Sequence, residues 1–260
     1  MRKLMVVLLI AATTAACQKV AQVQTASLQV SAVVIEPATK TVTAEDMTVF
    51  IDGENFHAEY SYGMIPSLIS VPVDKDIPYV VSAENVTVEQ AESLPDIWGM
   101  RRYAGSYEVL VDRFMQKDES GKNIPLTYQV TVQCTVANSM LSVVFDQTVL
   151  TYYSQPVVTA YTDINRKLEF TPSNASEAVA HFTAGKQLCF DFSGLFNVSG
   201  ETMSHSGSLE LEPATHYTLT FKMQNVQGAI HQPVIIVDEY CEDIYETMTV
   251  DPSDDGKFEK

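Results

Sequence analysis

The chain has 260 residues, 46% of them hydrophobic, with 33 Asp and Glu against 16 Lys and Arg and a formal net charge of −17. That apolar content rules out disorder in bulk, and the length suits one large domain or two of about 100–150 residues. The acidic balance excludes nucleic acid as a partner, because a polyanionic duplex would be repelled.

Residues 1–17 read MRKLMVVLLIAATTAAC. Arg2 and Lys3 precede an apolar run over 4–10, then small residues, then Cys17. This order is that of a secretory signal. The run is far short of the roughly 20 residues a membrane-spanning helix needs. Cys17 directly after Thr14-Ala15-Ala16 resembles a bacterial lipobox, with Thr14 where Leu is usual. In such signals the cysteine is acylated and becomes the new N-terminus. We therefore expect a lipoprotein signal peptide over 1–17, with Cys17 lipidated by palmitate-like chains; the other reading is a plain signal peptide with a chance cysteine. Stable membrane attachment through Cys17 takes more than one chain. Losing the leader removes two cations and no acids, so the mature charge is −19. Residues 18–25 are a polar tether whose one charge is Lys19. It lacks the acidic cluster that marks surface export in some gut-bacterial lipoproteins. The expected location is the outer membrane, on its periplasmic face or at the cell surface.

From residue 26 the pattern has period 2. Leu28, Val30, Ala32 and Val34 share one face of a first strand. A hairpin is expected from strands over 46–51 and 55–62, with Asp52-Gly53 as its turn. Residues 65–73 carry Pro66 and Pro72, which suits an edge strand or loop. Further strands are expected over 79–88 and 105–112, with an ordered loop over 92–103 holding Trp98, the one tryptophan of the chain. After a polar turn at 118–123, residues 126–136 (LTYQVTVQCTV) alternate without a break, one face buried and the other wet. Ala137-Asn138 interrupts, and 140–145 resumes.

The second half repeats this texture. Strands are expected over 156–163, 167–170, 178–182, 186–192, 206–212, 216–223, 233–237 and 245–250, their breaks carrying Pro, Gly, Asn or Ser. No amphipathic helix longer than two turns is visible. The fold class expected is all-β, two tandem antiparallel β-sandwich domains of immunoglobulin-, transthyretin- or fimbrillin-like type. They span 26–133 and 134–250, followed by an acidic tail over 251–260.

Little chemistry is written in the residues. Cys134, Cys189 and Cys241 follow Cys17; an odd number leaves one free, and nothing in the spacing decides whether Cys189 and Cys241 pair. His57, His181, His205, His216 and His231 are scattered, and His57 and His216 are expected to face solvent. The five acids in nine residues from Asp238 to Glu246 lack a calcium loop's spacing and suit a charged strand edge. No catalytic residue, metal site or cofactor is expected. Trp98, Tyr103 and Tyr107, with Arg101 and Arg102 between them, could stack on a sugar and bond its hydroxyls, a possible glycan-binding site. The other reading is that Trp98 plugs the open end of the first sandwich. The three N-glycosylation patterns, at Asn85, Asn174 and Asn197, are coincidental in a bacterial chain.

Four stretches carry a family resemblance: the lipobox with the strand over 26–34; Trp98 followed by Arg102-Tyr103-Ala104-Gly105-Ser106; VTVQCTVANSMLSVVF over 130–145; and LELEPATHYTLTF over 209–221, with its Pro-x-x-x-Tyr-x-Leu pattern. Together they resemble a Bacteroides-type lipoprotein family known as domain of unknown function 4493. Such proteins look like fimbrillin sandwiches. The resemblance implies adhesion or assembly and brings no catalytic residues with it. The function expected is a non-enzymatic, lipid-anchored cell-envelope protein in cell adhesion or fimbria-like assembly, its partner another protein. The alternatives are a glycan-binding lipoprotein capturing polysaccharide and, third, a hydrolase with carboxylates converging in a deep cleft.

Overall fold

The computed structural model describes residues 24–35, 46–73, 76–224 and 232–241. The leader with Cys17, most of the tether, the expected strand over 245–250 and the tail lie outside them.

Period-2 runs become strands whose apolar side is buried. In the first half these are β1 (Thr25–Val34), β2 (Thr48–Gly53), β3 (Phe56–Ser61), β4 (Ile69–Pro72), β5 (Tyr79–Glu84) and β6 (Tyr103–Val109). A small hairpin, β7 (Met115–Lys117) and β8 (Asn123–Pro125), precedes β9 (Thr127–Val136). Seven of these form one sheet, ordered β3-β2-β5-β6-β9-β1-β4. It wraps a core that includes Leu28, Val49, Ile51, Val71, Val81, Tyr103, Val130 and Val132. β6 and β9 meet through only two residue pairs, Tyr103 with Val136 and Ala104 with Thr135.

The second half is two four-stranded sheets facing across a second core. β10 (Asn138–Phe145), helix α1 (Gln147–Tyr152), β11 (Tyr153–Asp163), β12 (Arg166–Phe170), β13 (Ala180–Thr183), β14 (Gln187–Phe196), β15 (Thr202–Glu210), β16 (Thr215–Gln224) and β17 (Gln232–Cys241) follow in order. The sheets are ordered β13-β10-β16-β17 and β12-β11-β14-β15. Phe170, Phe182, Phe192, Phe221, Leu168 and Leu188 fill the space between them.

The architecture is all-β, and four expectations need correction. The sheets are not purely antiparallel: β1 runs parallel to β9 and β10 parallel to β16. Alternation encodes which face is buried, not the direction of a neighbour that arrives far later in the chain. The hairpin turns at Glu54-Asn55, because Gly53 pairs with Phe56 inside the ladder. Gly53 serves a close approach instead: a Cβ there would sit 2.5 Å from the Tyr79 ring. The expected strand over 79–88 stops at Glu84, and Val88–Ala91 forms a single helical turn. Its signal was present, since Thr87 and Gln90 make a reciprocal capping box. The expected division at 133/134 falls inside β9, whose Cys134 and Val136 belong to the first core.

Candidate functional site

The loop between the single helical turn and β6 is exposed over residues 93–97 and turns inward at Trp98. It ties the two cores together. Trp98 reaches out of the first half and packs edge-on against Phe170, ring centroids 4.9 Å apart, joining the second core. Its carbonyl accepts the backbone N–H of His181 at 2.8 Å, and the Ile97 carbonyl accepts from the Arg166 guanidinium at 2.9 Å. Glu92 accepts from the backbone N–H and the hydroxyl of Thr183, at 2.8 and 2.6 Å.

Asn138 completes the tie. It is 3% exposed, and its side-chain amide donates to the Met100 carbonyl at 2.8 Å while its oxygen accepts from the Arg102 N–H at 3.0 Å. Ala137 N–H donates to the Arg102 carbonyl at 2.7 Å. Arg102 in turn pairs with Glu84 and donates to the Val86 carbonyl. The interruption at Ala137-Asn138 is thus where the chain leaves one sheet for the next.

Tyr103 is 1% exposed and part of the first core, so it offers no ring face to a sugar. Tyr107 is 49% exposed. The glycan cluster expected of Trp98, Tyr103 and Tyr107 does not assemble as a shared surface. Trp98 plugs a core, but the second one rather than the first. The sequence sets aromatic residues beside a polar loop and carries no signal for which core they enter.

Among the described residues burial leads the shift of five groups: it raises Tyr128, Tyr153 and Cys134 and lowers Arg166 and His181, most strongly Cys134 and His181. Desolvation holds the His181 imidazole down to about 4, with Arg101, His216 and Arg166 adding to the effect and the Trp98 carbonyl opposing it. Burial pushes the Cys134 thiol up to about 11. Cys189 carries a free thiol; the Cys241 side chain lies outside the described residues, as do the side chains of Asp238 to Glu246. His57 is exposed and bonds Asp52 at 2.6 Å, as expected. His216 is not in open solvent: it is half-buried and bonds the Ser142 hydroxyl at 2.9 Å. Among the described residues no group of three His, Cys, Asp or Glu is placed to hold a metal ion, and no helix is long and apolar enough to cross a membrane.

Among the described residues are two grooves of about 380 Å³ each. One is lined by Gly53, Glu54, Asn55, Pro72 and the Tyr79 ring. The other runs beside β10, between Val144, Phe145, Leu150, Pro172 and Ala175. Over Ser142, Val143, Val144 and Phe145, β10 pairs only with β16, because its pairing with β13 ends at Leu141 and Ala180. The second groove therefore adjoins an open strand edge with Val144 44% exposed.

These features define an all-β protein with two packed cores and partly open sheet edges. Residues 19–252 match the family described as Domain of unknown function (DUF4493), and the chain belongs to that family. No curated protein matches the sequence. Among solved structures it is similar to the tip fimbrial protein Mfa3 from Porphyromonas gingivalis, at 9% identity and a TM-score of 0.43, covering 84% of this chain and 99% of that one. It is also similar to the fimbrial anchor protein Mfa2 of the same organism, at 8% identity and a TM-score of 0.36, covering 83% and 99%.

Proposed function

We propose that this protein is a lipid-anchored, non-enzymatic component of the cell envelope that acts by binding another protein, in adhesion or fimbria-like assembly. The leader ending at Cys17 supports the anchor. The half-open edge of β10 carries the binding reading. A strand with free backbone groups beside an apolar groove can accept an extended segment, whose backbone supplies affinity and whose side chains enter the groove. Donation of β1 is the less favoured route. β1 is flanked by β9 and, over Thr25, Ala26, Ser27 and Leu28, also by β4, so giving it up would break both ladders.

The test is a photo-crosslinking residue at Val144, with one at Glu59 as control, in cells labelled with palmitate. The expected result is a Val144-specific adduct with an envelope protein and label that is lost in Cys17→Ser. Adducts equal at both positions would overturn the binding reading. Label unchanged by Cys17→Ser would overturn the anchor.

A further inference from the structure

Among the described residues, the edge strands β3, β4, β12 and β13 are guarded. β4 is four residues ending in Pro72, and β12 carries Arg166, Lys167 and Glu169. β3 carries His57 and Glu59, while β13 is four residues long and lies against the Trp98 carbonyl. Short strands, prolines and charges are the usual devices against edge-to-edge pairing. β15 has such a device only at its end. It is nine residues long, TMSHSGSLE, and outermost in its sheet among the described residues, and Glu210 at its end is its only Asp, Glu, Lys or Arg.

We propose that the β15 edge is a self-association surface, pairing antiparallel with β15 of a second copy about a two-fold axis at Ser206. The strand is self-complementary in that register. Ser206 is its midpoint, so all nine residues pair. Ser204 then meets Ser208, Met203 meets Leu209, and Thr202 meets Glu210. His205, the bulkiest side chain near the axis, meets Gly207, which has none. On the inward side, Met203 is 36% exposed and Leu209 packs on the second core, so apolar groups face each other across the axis. His205 lies beside Phe192, and its Nε2 is buried with no partner within the protomer.

The edge offers no charge to an oppositely charged partner, and its self-complementary register points to a second copy. Two chains of net charge −17 repel, and this edge lets them meet without apposing acids. Glu210 at the strand end faces Thr202, and the outward carboxylate nearest the axis is Asp191, which accepts from Ser206 at 2.6 Å. Three strand spacings of about 4.8 Å separate it from its symmetry mate, beyond a Debye length of about 8 Å. One strand pair is a small interface, so association is weak in solution and strengthens with salt.

Disulfide trapping in the full chain reads this contact directly. Directly opposed strand residues have Cα atoms about 4.5–5.5 Å apart, within disulfide reach. Under mild oxidation, Ser206→Cys is expected to give at least tenfold more covalent dimer than the unsubstituted chain, through a 206–206 linkage found by mass spectrometry. Ser204→Cys, which faces Ser208, is expected to give no excess. Adding Ser204→Lys and Ser208→Lys to Ser206→Cys opposes like charges and is expected to return trapping to the unsubstituted level, with the circular-dichroism spectrum unchanged. No excess dimer from Ser206→Cys, or equal trapping by Ser204→Cys, would overturn the proposal.

Discussion

Trp98 lies 4.9 Å from Phe170 at an interplanar angle of 61°, so a residue of the first half's loop is a packing element of the second core. This single contact couples the two halves through an aromatic pair. Its neighbours, the bonds from His181, Arg166 and Thr183, are made to the same loop.

Trp98→Ala should therefore destabilise the second core although it lies outside that core's strands. Truncating a half-buried Trp in a T-shaped pair costs about 2–3 kcal/mol. Urea unfolding followed by circular dichroism would show this as a lowered midpoint. A loss below about 0.5 kcal/mol would mean the ring contributes little.

Asn138→Ala should cost about 1–3 kcal/mol, because it strands the Met100 carbonyl and the Arg102 N–H where neither is replaced by water. Asn138→Asp keeps the acceptor but sets a buried carboxylate oxygen against the Met100 carbonyl, so it should cost at least as much as alanine at neutral pH. If the aspartate variant unfolds no earlier than the parent chain, the donated bond is not needed.

His181 makes stability depend on pH. Its folded value of about 4 lies below the ordinary 6.5, so the folded state holds the ring neutral while the unfolded chain protonates it more readily. The contribution is complete above about pH 6.5 and drains away as pH falls towards 4, up to about 3 kcal/mol in all. The stability of His181→Asn should change less than that of the parent chain between pH 7 and pH 4.5. Parallel pH profiles for the two would remove this role.

Gly105→Ala should be among the most damaging small substitutions. A Cβ there would lie 1.9 Å from the Gln133 carbonyl oxygen, and backbone cannot step aside as a side chain can. The clash falls where β6 and β9 join through two residue pairs. We expect a loss of about 3 kcal/mol and faster amide exchange at Tyr103 and Val136. Exchange unchanged at those amides would place the strain elsewhere.

Much of this protein is legible in its residues. Unbroken alternation over 126–136 gave β9 with its wet and buried faces, and Pro66 and Pro72 narrowed 65–73 to an edge strand or loop, because side-chain period and missing N–H donors are local properties. Thr87 and Gln90 held a readable helix cap that strand-like neighbours obscured. Charge and strand content are likewise properties of the chain read alone.

Tertiary structure decided the rest. Whether Tyr103 would be a sugar platform or a core residue, which core Trp98 would fill, and that β1 and β10 would each find a parallel partner all depend on segments distant in sequence. Burial is set by what packs on a residue from elsewhere, and no local period records it. The same holds for strand edges: β15 reads as an ordinary serine-rich strand, and only its place at the end of a sheet leaves one side without a neighbour.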